Sequence, residues 1–318
     1  MSQVSYKGGD RAITDRALPT GVAPGMTTYR RGDRGLNDRE LVATQPPAGP
    51  ATGACCILGN CSIKTQSACL AAGGTYMGDN SACSVGLCGT APNTVAGLLA
   101  WYNGTFNLNA GQADGTTPSN MLDNSGNGLH LNTAGAGCIF KVNQVNGQPV
   151  FRFNNNGYYQ RGADINLVQP NTIFVVAKQS SVAAPAFFLD SSSGAGAGAN
   201  LFLGSGAVPL GANGQYIASN NGYATVLSES GVDRSGAFHV FSAIFNGASS
   251  FLYVDGAQVA AGNAGTDKWG NITVGLRVDN LTYGFIGDLA ELILYSGALS
   301  TANRQGIEKY LKVTYATP

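Results

Sequence analysis

The chain has little charge and few of the residues on which most enzymes depend. Of its 318 residues only 11% are Asp, Glu, Lys or Arg, with two histidines, two tryptophans and a formal net charge of zero. A neutral chain lacks the positive field that drives nucleic-acid binding, and no apolar run approaches the ~20 residues of a membrane-spanning helix. We therefore expect neither nucleic acid nor a membrane as a partner.

The standard catalytic templates are also missing. The sequence contains no Gly-x-Ser-x-Gly elbow, no phosphate-binding loop and no His-Glu-x-x-His motif, and we expect His130 and His239 to be structural. Two carboxylates could still make a glycosidase, and Asp288 with Glu291 is the near-pair in a predicted strand. Their spacing of three residues predicts opposite faces of the strand. We therefore expect that the protein is not an enzyme and that it binds neither a cofactor nor a metal ion.

The first 50 residues differ in composition from the rest of the chain. They hold 12 of the 36 charged residues and five of the 12 prolines, without extended hydrophobic periodicity. Such a segment cannot bury enough apolar surface to fold alone, so we predict an extended arm at 1–50 that anchors the chain to other proteins. A disordered tail is the alternative. The N-terminus lacks the apolar core of a secretory signal, so we do not expect it to direct secretion.

Cysteines are concentrated in a short module at 51–93. Six in so few residues predict three disulfides whose connectivity is one of fifteen, whereas zinc is disfavoured by the absence of a C-x-x-C pair and of histidine. The seventh, Cys138, is expected to be a buried, unpaired residue in a strand. The six are Cys55, Cys56, Cys61, Cys69, Cys83 and Cys88.

Two further properties of the module bear on its role. Its Gly-Ala-Cys-Cys start and its Ala-Gly-Gly-Thr-Tyr segment resemble short cysteine repeats of bacterial surface and phage proteins, which implies a spacer. Disulfides do not persist in a reducing cytosol. Disulfides without a secretory signal are typical of virion proteins, which oxidise after release from the host.

From residue 94 onward, short apolar runs broken by Gly, Asn, Asp and Ser predict an all-β domain at 94–318. The Asp255–Gly256 pair between two such runs predicts a β-hairpin with a type I′ turn. Helical spacing after Ser300, a suitable N-cap, predicts one closing helix over 301–315. Other predicted strands are 150–153, 172–178, 187–190, 239–246, 271–276 and 287–295.

Several motifs in this region occur in one order that resembles the concanavalin A-like, laminin G-like superfamily. The resemblance implies an antiparallel jelly-roll sandwich that binds ligands at its loops or concave face, with calcium at Asp123 or Asp279 as an option. It also implies that Glu291 forms structural hydrogen bonds. The motifs are Gly97–Tyr102, Asp123–His130, Gly147–Phe153, Thr172–Val176, Val254–Gly256, Gly287–Tyr295 and Ala298–Lys312.

Three loop regions combine aromatic rings with amide or carboxylate side chains, the mixture that sugar binding requires. The same residues could serve turn formation alone. The candidate ligand-binding residues are Tyr158, Tyr159, Tyr223, Trp269, Asn271, Asp279 and Tyr283.

Together these observations predict a non-enzymatic protein of the phage virion surface. The arm at 1–50 would fasten it to other virion proteins, and the sandwich, as a capsid decoration, fibre or adhesin, would bind host-surface glycans. The alternative is a secreted bacterial lectin or polysaccharide-processing enzyme. A third hypothesis is a purely architectural role, and assembly into a homo-oligomer is left open.

Overall fold

A computed structural model describes residues 49–163, 165–180, 186–191, 201–205, 214–219, 227–277, 281 and 283–318; at 201–205, 214–219 and 230 it describes the backbone alone. All but the last two residues of the predicted arm lie outside the described residues. Thr52–Pro318 form one compact unit. No helix in the described part of the chain is long and apolar enough to cross a membrane.

The described chain is mostly β-structure, with three α-helices. The helices are α1 (Gln66–Ala71), α2 (Gly104–Asn109) and α3 (Thr301–Tyr315). The strands are β1 (Thr52–Ile57), β2 (Asn60–Thr65), β3 (Thr75–Tyr76), β4 (Leu98–Asn103), β5 (Asn120–Met121), β6 (Leu131–Gly135), β7 (Ile139–Val145), β8 (Gln148–Asn154), β9 (Gly157–Arg161), β10 (Asn171–Gln179), β11 (Ala186–Asp190), β12 (Leu201–Ser205), β13 (Gly214–Ser219), β14 (Leu227–Ser230), β15 (His239–Phe245), β16 (Ser250–Val254), β17 (Ala257–Gly262), β18 (Ile272–Val274) and β19 (Ile286–Ser296).

Two antiparallel eight-stranded sheets form a sandwich, as the sequence predicted. The first sheet has the order β17-β16-β15-β10-β19-β8-β7, and β4 also pairs with β19. The second sheet has the order β14-β13-β12-β11-β18-β9-β6-β5. One hydrophobic cluster contains alternate residues of both sheets, such as Phe151, Val175 and Leu292 from the first and Leu131 and Ile272 from the second. The predicted all-β antiparallel fold is therefore confirmed.

The predicted hairpin and closing helix are confirmed. Asp255 and Gly256 have φ angles of 50° and 81°, as a type I′ turn requires, and they join β16 to β17. The Ser300 hydroxyl accepts a hydrogen bond of 3.2 Å from the Asn303 N–H at the start of α3. The apolar side of α3, including Ile307 and Leu311, packs in a second cluster on the outer face of the first sheet.

The cysteine module contains a small sheet of order β2-β1-β3 and three disulfides, as predicted. Zinc is therefore the wrong alternative for these six thiols. Cys138 is free and buried as predicted, although it lies just before β7 rather than inside a strand. Burial raises the pKa of its thiol to about 12. The pairs are Cys55–Cys69, Cys56–Cys88 and Cys61–Cys83.

The cysteine module packs directly on the sandwich and on helix α3. The Thr75 hydroxyl donates to the Val313 carbonyl at 3.1 Å, and the Thr90 N–H donates to the Gly306 carbonyl at 2.8 Å. Gly89 approaches the helix so closely that a Cβ atom there would lie 2.2 Å from the nitrogen of Tyr310. The module that the sequence suggested as a spacer thus covers part of the first sheet's outer side.

Candidate functional site

Two predicted ligand-binding aromatics belong to the core. Trp269 and Tyr159 are both 0% exposed. The indole N–H of Trp269 donates to the Asn171 side-chain oxygen at 3.2 Å, and the Tyr159 hydroxyl donates to the Pro118 carbonyl at 2.7 Å. Their rings pack inside the sandwich rather than at the surface.

The other predicted residues lie in different places. Asn271 is 7% exposed and precedes β18, where its N–H donates to the Ser191 hydroxyl at 3.2 Å. Tyr283 is 37% exposed, and its ring stacks on that of Phe187 with centroids 6.0 Å apart. Tyr223 and Asp279 lie outside the described residues. Tyr158 is half-buried on β9 and belongs to the arrangement described next.

A continuous row of polar side chains crosses the outer face of the second sheet. Each member stands opposite the next on a neighbouring strand, while the adjacent residue of each strand points into the core. We call this arrangement the polar row. Its members, from β5 to β11, are Asn120, Asn132, Gln160, Thr273 and Asp190.

The polar row is open at one end and enclosed at the other. Asn132 is exposed and Gln160 is half-buried, whereas Thr273 and Asp190 are 0% exposed. The Asn120 side-chain amide donates to the Asn132 side-chain oxygen at 2.7 Å. The Thr273 hydroxyl is buried without a hydrogen-bond partner among the described residues. The accessible members Asn120, Asn132 and Gln160 lie on three adjacent strands at ~4.8 Å spacing, so the open part of the row is about 10 Å long.

An aromatic ring stands beside the polar row. Tyr158 lies two residues before Gln160 on β9, so both side chains emerge on the same face of the sheet. Its ring lies against Gly135 of the neighbouring strand, where a Cβ atom would come within 2.8 Å of the ring. The amides of the row and the ring of Tyr158 are thus presented together.

The calcium option at Asp123 does not fit the structure. The Asp123 carboxylate accepts hydrogen bonds from the N–H groups of Trp101, Ser125 and Leu129, each at 2.9 Å, and from the Ser125 hydroxyl at 2.8 Å. These donors occupy the oxygens that a cation would need. No group of three or more His, Cys, Asp or Glu side chains in the described ranges could hold a metal ion.

Asp288 and Glu291 lie on the same face of the first sheet, which corrects the prediction of opposite faces. Glu291 pairs with Val176 and Leu289 with Ala177, so Ala290 is an extra residue in a β-bulge. The extra residue shifts the alternation of side chains between the two faces by one position. Side chains three residues apart across the bulge therefore lie on the same face.

The two carboxylates on this face have separate partners. Asp288 is paired with Arg152 at 2.7 Å and with Lys178 at 3.0 Å. Glu291 is 1% exposed and accepts hydrogen bonds from Trp101 Nε1 at 2.5 Å, from Tyr315 at 2.7 Å and from Tyr310 at 3.0 Å. The structural role predicted for Glu291 is confirmed. Burial raises the pKa of this carboxyl to about 7, against the opposing effect of its donors.

The sequence offered Tyr158 as a candidate but did not predict the polar row. Asn and Gln are typical of turns, so their presence on short strands gave little signal. The run Tyr158–Tyr159–Gln160 does alternate between faces once Tyr159 is placed inside, and that alternation was the available clue. The register of five strands, which aligns the row, is not readable from local sequence.

Comparisons with known proteins show the fold but not a family. No protein-family model matches the chain, and no curated protein matches it. A mutant of a GH54 α-L-arabinofuranosidase soaked with 4-nitrophenyl α-L-arabinofuranoside has a TM-score of 0.50 at 12% identity. The match covers 70% of this chain and 60% of that chain. At this identity the match shows the sandwich fold alone.

Two further solved structures are similar at lower scores. Domain 4 of AbnA, a GH43 extracellular arabinanase from Geobacillus stearothermophilus in complex with arabinotriose, has a TM-score of 0.48 at 13% identity, covering 65% of this chain and 95% of that domain. Trypanosoma rangeli sialidase in complex with the inhibitor DANA has a TM-score of 0.49 at 14% identity, covering 73% of this chain and 35% of the sialidase. The chain shares its β-sandwich fold with the arabinofuranosidase structure described above.

Proposed function

We propose that the outer face of the second sheet binds an uncharged, hydroxyl-rich oligosaccharide and does not cleave it. The observation that carries the proposal is the polar row with Tyr158 beside it. Amide groups both donate and accept hydrogen bonds, as sugar hydroxyls do, so Asn132 and Gln160 match this ligand chemistry. A tyrosine ring offers an apolar face for the C–H surface of a sugar.

The charge of the polar row supports the same ligand class. The row contains no cationic side chain, so an acidic sugar would gain no ion pair from it.

The carboxylates described above support binding without hydrolysis. Glycoside hydrolysis requires two acids that reach one glycosidic bond. Asp288 is engaged by two cations, and Glu291 is closed off in the core on the first sheet, away from the polar row. Asp190 is the single carboxylate among the five members of the polar row.

A binding assay on matched variants tests this proposal. Isothermal titration of a panel of neutral oligosaccharides that includes arabinotriose should find a ligand whose affinity falls about tenfold or more in Gln160→Ala and in Tyr158→Ala. The control is Gln258→Ala, which removes the same side chain from an exposed position on β17 of the first sheet and should leave the affinity unchanged.

Three outcomes would contradict it. These are no binding across the panel, an equal loss in Gln258→Ala, or release of reducing ends from a bound oligosaccharide by the unmodified protein.

We further propose that the chain acts outside the reducing cytosol, as a secreted or surface-displayed lectin-like module. Three disulfides support this location because they persist in oxidising surroundings. The fold similarity favours the alternative of a secreted lectin over a virion protein, since neither the fold nor the comparisons support a phage particle. Mass spectrometry of purified phage particles and of culture medium distinguishes the secreted lectin from the virion protein. Recovery of the chain in particles alone would favour the virion hypothesis.

A further inference from the structure

Glu291 is a buried carboxylate with neutral partners. Its hydrogen-bond donors are Trp101 and Asn103 from β4 and Tyr310 and Tyr315 from α3. It forms no ion pair with any described residue. Burying an ionised carboxylate without a counter-charge costs free energy, and neutral donors offset that cost in part.

The other two glutamates of the described chain, and Asp288 on the same strand as Glu291, are paired with cations. Glu308 meets Arg304 at 2.6 Å, Glu229 forms an ion pair with Arg234, and Asp288 is paired with two cations, as described above. All of these carboxylates keep a counter-charge when ionised. Glu291 differs because no counter-charge stabilises its anion, so its burial favours the protonated acid.

The partly or fully buried cations on the elements around Glu291 have other partners. On α3, Arg304 closes on Glu308, and the Lys312 ammonium donates to the Asp255 carbonyl at 3.4 Å. Arg152 on β8 and Lys178 on β10 are bound to the Asp288 carboxylate of β19. The Tyr295 hydroxyl donates to the Pro92 carbonyl at 2.8 Å, and Val176 opposite Glu291 is apolar.

The site of Glu291 also joins three parts of the molecule. Its donors come from β4 of the first sheet and from two successive turns of helix α3. Asn103, Tyr310 and Tyr315 also line a cavity of about 80 Å³ whose other walls include Cys56 and Thr75 of the cysteine module. A change at this carboxylate therefore acts where the helix, the module and the sheet meet.

We propose that Glu291 is a proton-operated latch that holds helix α3 and the adjoining cysteine module on the first sheet more firmly in mildly acidic surroundings than in neutral ones. The sign follows from linkage. Its pKa rises from 4.5 to about 7 on folding, so the folded state binds the proton more tightly. The stabilisation is complete below pH 4.5 and is lost as the pH rises through 7. This inference is independent of glycan binding.

Thermal unfolding at pH 5, 6, 7 and 8, with disulfides intact, tests the latch. The unmodified protein should lose about 5 °C or more in Tm between pH 5 and pH 8 through this group. Glu291→Gln mimics the protonated acid, so it should show a flatter profile and a higher Tm than the unmodified protein at pH 8. Parallel profiles for the two proteins would overturn the proposal.

Glu308→Gln is the matched control. It also removes a buried carboxylate charge from this side of the sheet, but it breaks the pair with Arg304. It should lower Tm at every pH while keeping the pH dependence of the unmodified protein. Loss of that dependence in Glu308→Gln would assign the effect to the wrong carboxylate.

A direct titration keeps the test valid if Glu291→Gln fails to fold. The chain has four glutamates, so ¹³C labelling of the glutamate carboxyls gives a simple spectrum. The Glu291 signal should titrate with a midpoint near pH 7, and amide exchange in α3, corrected for the intrinsic rate, should be faster at pH 8 than at pH 5.5. A midpoint near 4.5, or equal corrected exchange, would overturn the latch.

Discussion

Trp269 shows how one residue can satisfy the chemical requirements of a binding site and yet serve the core. An indole flanked by Gly270 and Asn271 suggested a sugar platform from sequence alone. In the structure its N–H is bonded to Asn171 and its ring meets Phe245 edge-on with centroids 6.1 Å apart. A buried indole stabilises the fold through both its area and its hydrogen bond.

Trp269→Phe should therefore lower the free energy of unfolding by about 1–3 kcal/mol, since it removes buried volume and leaves the Asn171 oxygen without its donor. Glycan affinity should not change. Urea unfolding and titration calorimetry on the same preparation measure both quantities. An unchanged free energy of unfolding combined with a loss of glycan affinity would contradict this prediction and would indicate that Trp269 contacts the ligand.

At the residue scale, predictions from sequence were correct where the residue type itself determines the backbone conformation. They were wrong where a contact with a residue distant in sequence determines whether a side chain is buried. The positive φ angles at Asp255 and Gly256 followed from the residue types alone. The burial of Tyr159 depends on Pro118, which lies 41 positions earlier and whose carbonyl accepts a hydrogen bond from the Tyr159 hydroxyl. Local patterns contain no information about such a partner.

Among the structural elements, helix α3 and the cysteine module are held together by close backbone approach. Gly89 has a φ of 77° and lies against the Tyr310 backbone, whereas Gly86 has a φ of 72° and no atom within 4 Å of where a Cβ atom would lie. The two glycines share the same backbone conformation in one loop. A side chain would have space at Gly86 but would clash with the Tyr310 backbone at Gly89.

Gly86→Ala should cost about 1–2 kcal/mol, the ordinary penalty for a left-handed non-glycine residue. Gly89→Ala should cost clearly more, because its Cβ atom would also displace the module from α3. Urea unfolding of the two variants gives the comparison. Equal losses would show that the contact between the module and the helix contributes little to stability.

The predicted strands were confirmed with shifts of a few residues at their ends, because their apolar alternation is a local property. The bulge at Ala290 was not predicted, since it exists only relative to the partner strand β10. Its consequence was large. It placed Asp288 and Glu291 on one face, so their spacing does not disfavour hydrolysis; their separate partners do.

For the whole molecule, the sandwich fold was predictable because several motifs occur in one order over most of the chain. Disulfide connectivity and the packing of the module on the sandwich were not, because both depend on contacts between distant segments. The polar row belongs to the same class: Asn120 and Asp190 are 70 positions apart in sequence but lie at the two ends of one row on the sheet.

The central claim is that this row, with Tyr158, is the ligand-binding face. The most direct measurement is an NMR titration that follows side-chain amide signals of the labelled protein as the tightest oligosaccharide of the panel is added. The account predicts shifts at Asn132 and Gln160, with Gln144 and Gln258 on the first sheet unchanged. Saturable binding that moves the first-sheet amides and leaves the row unchanged would contradict it.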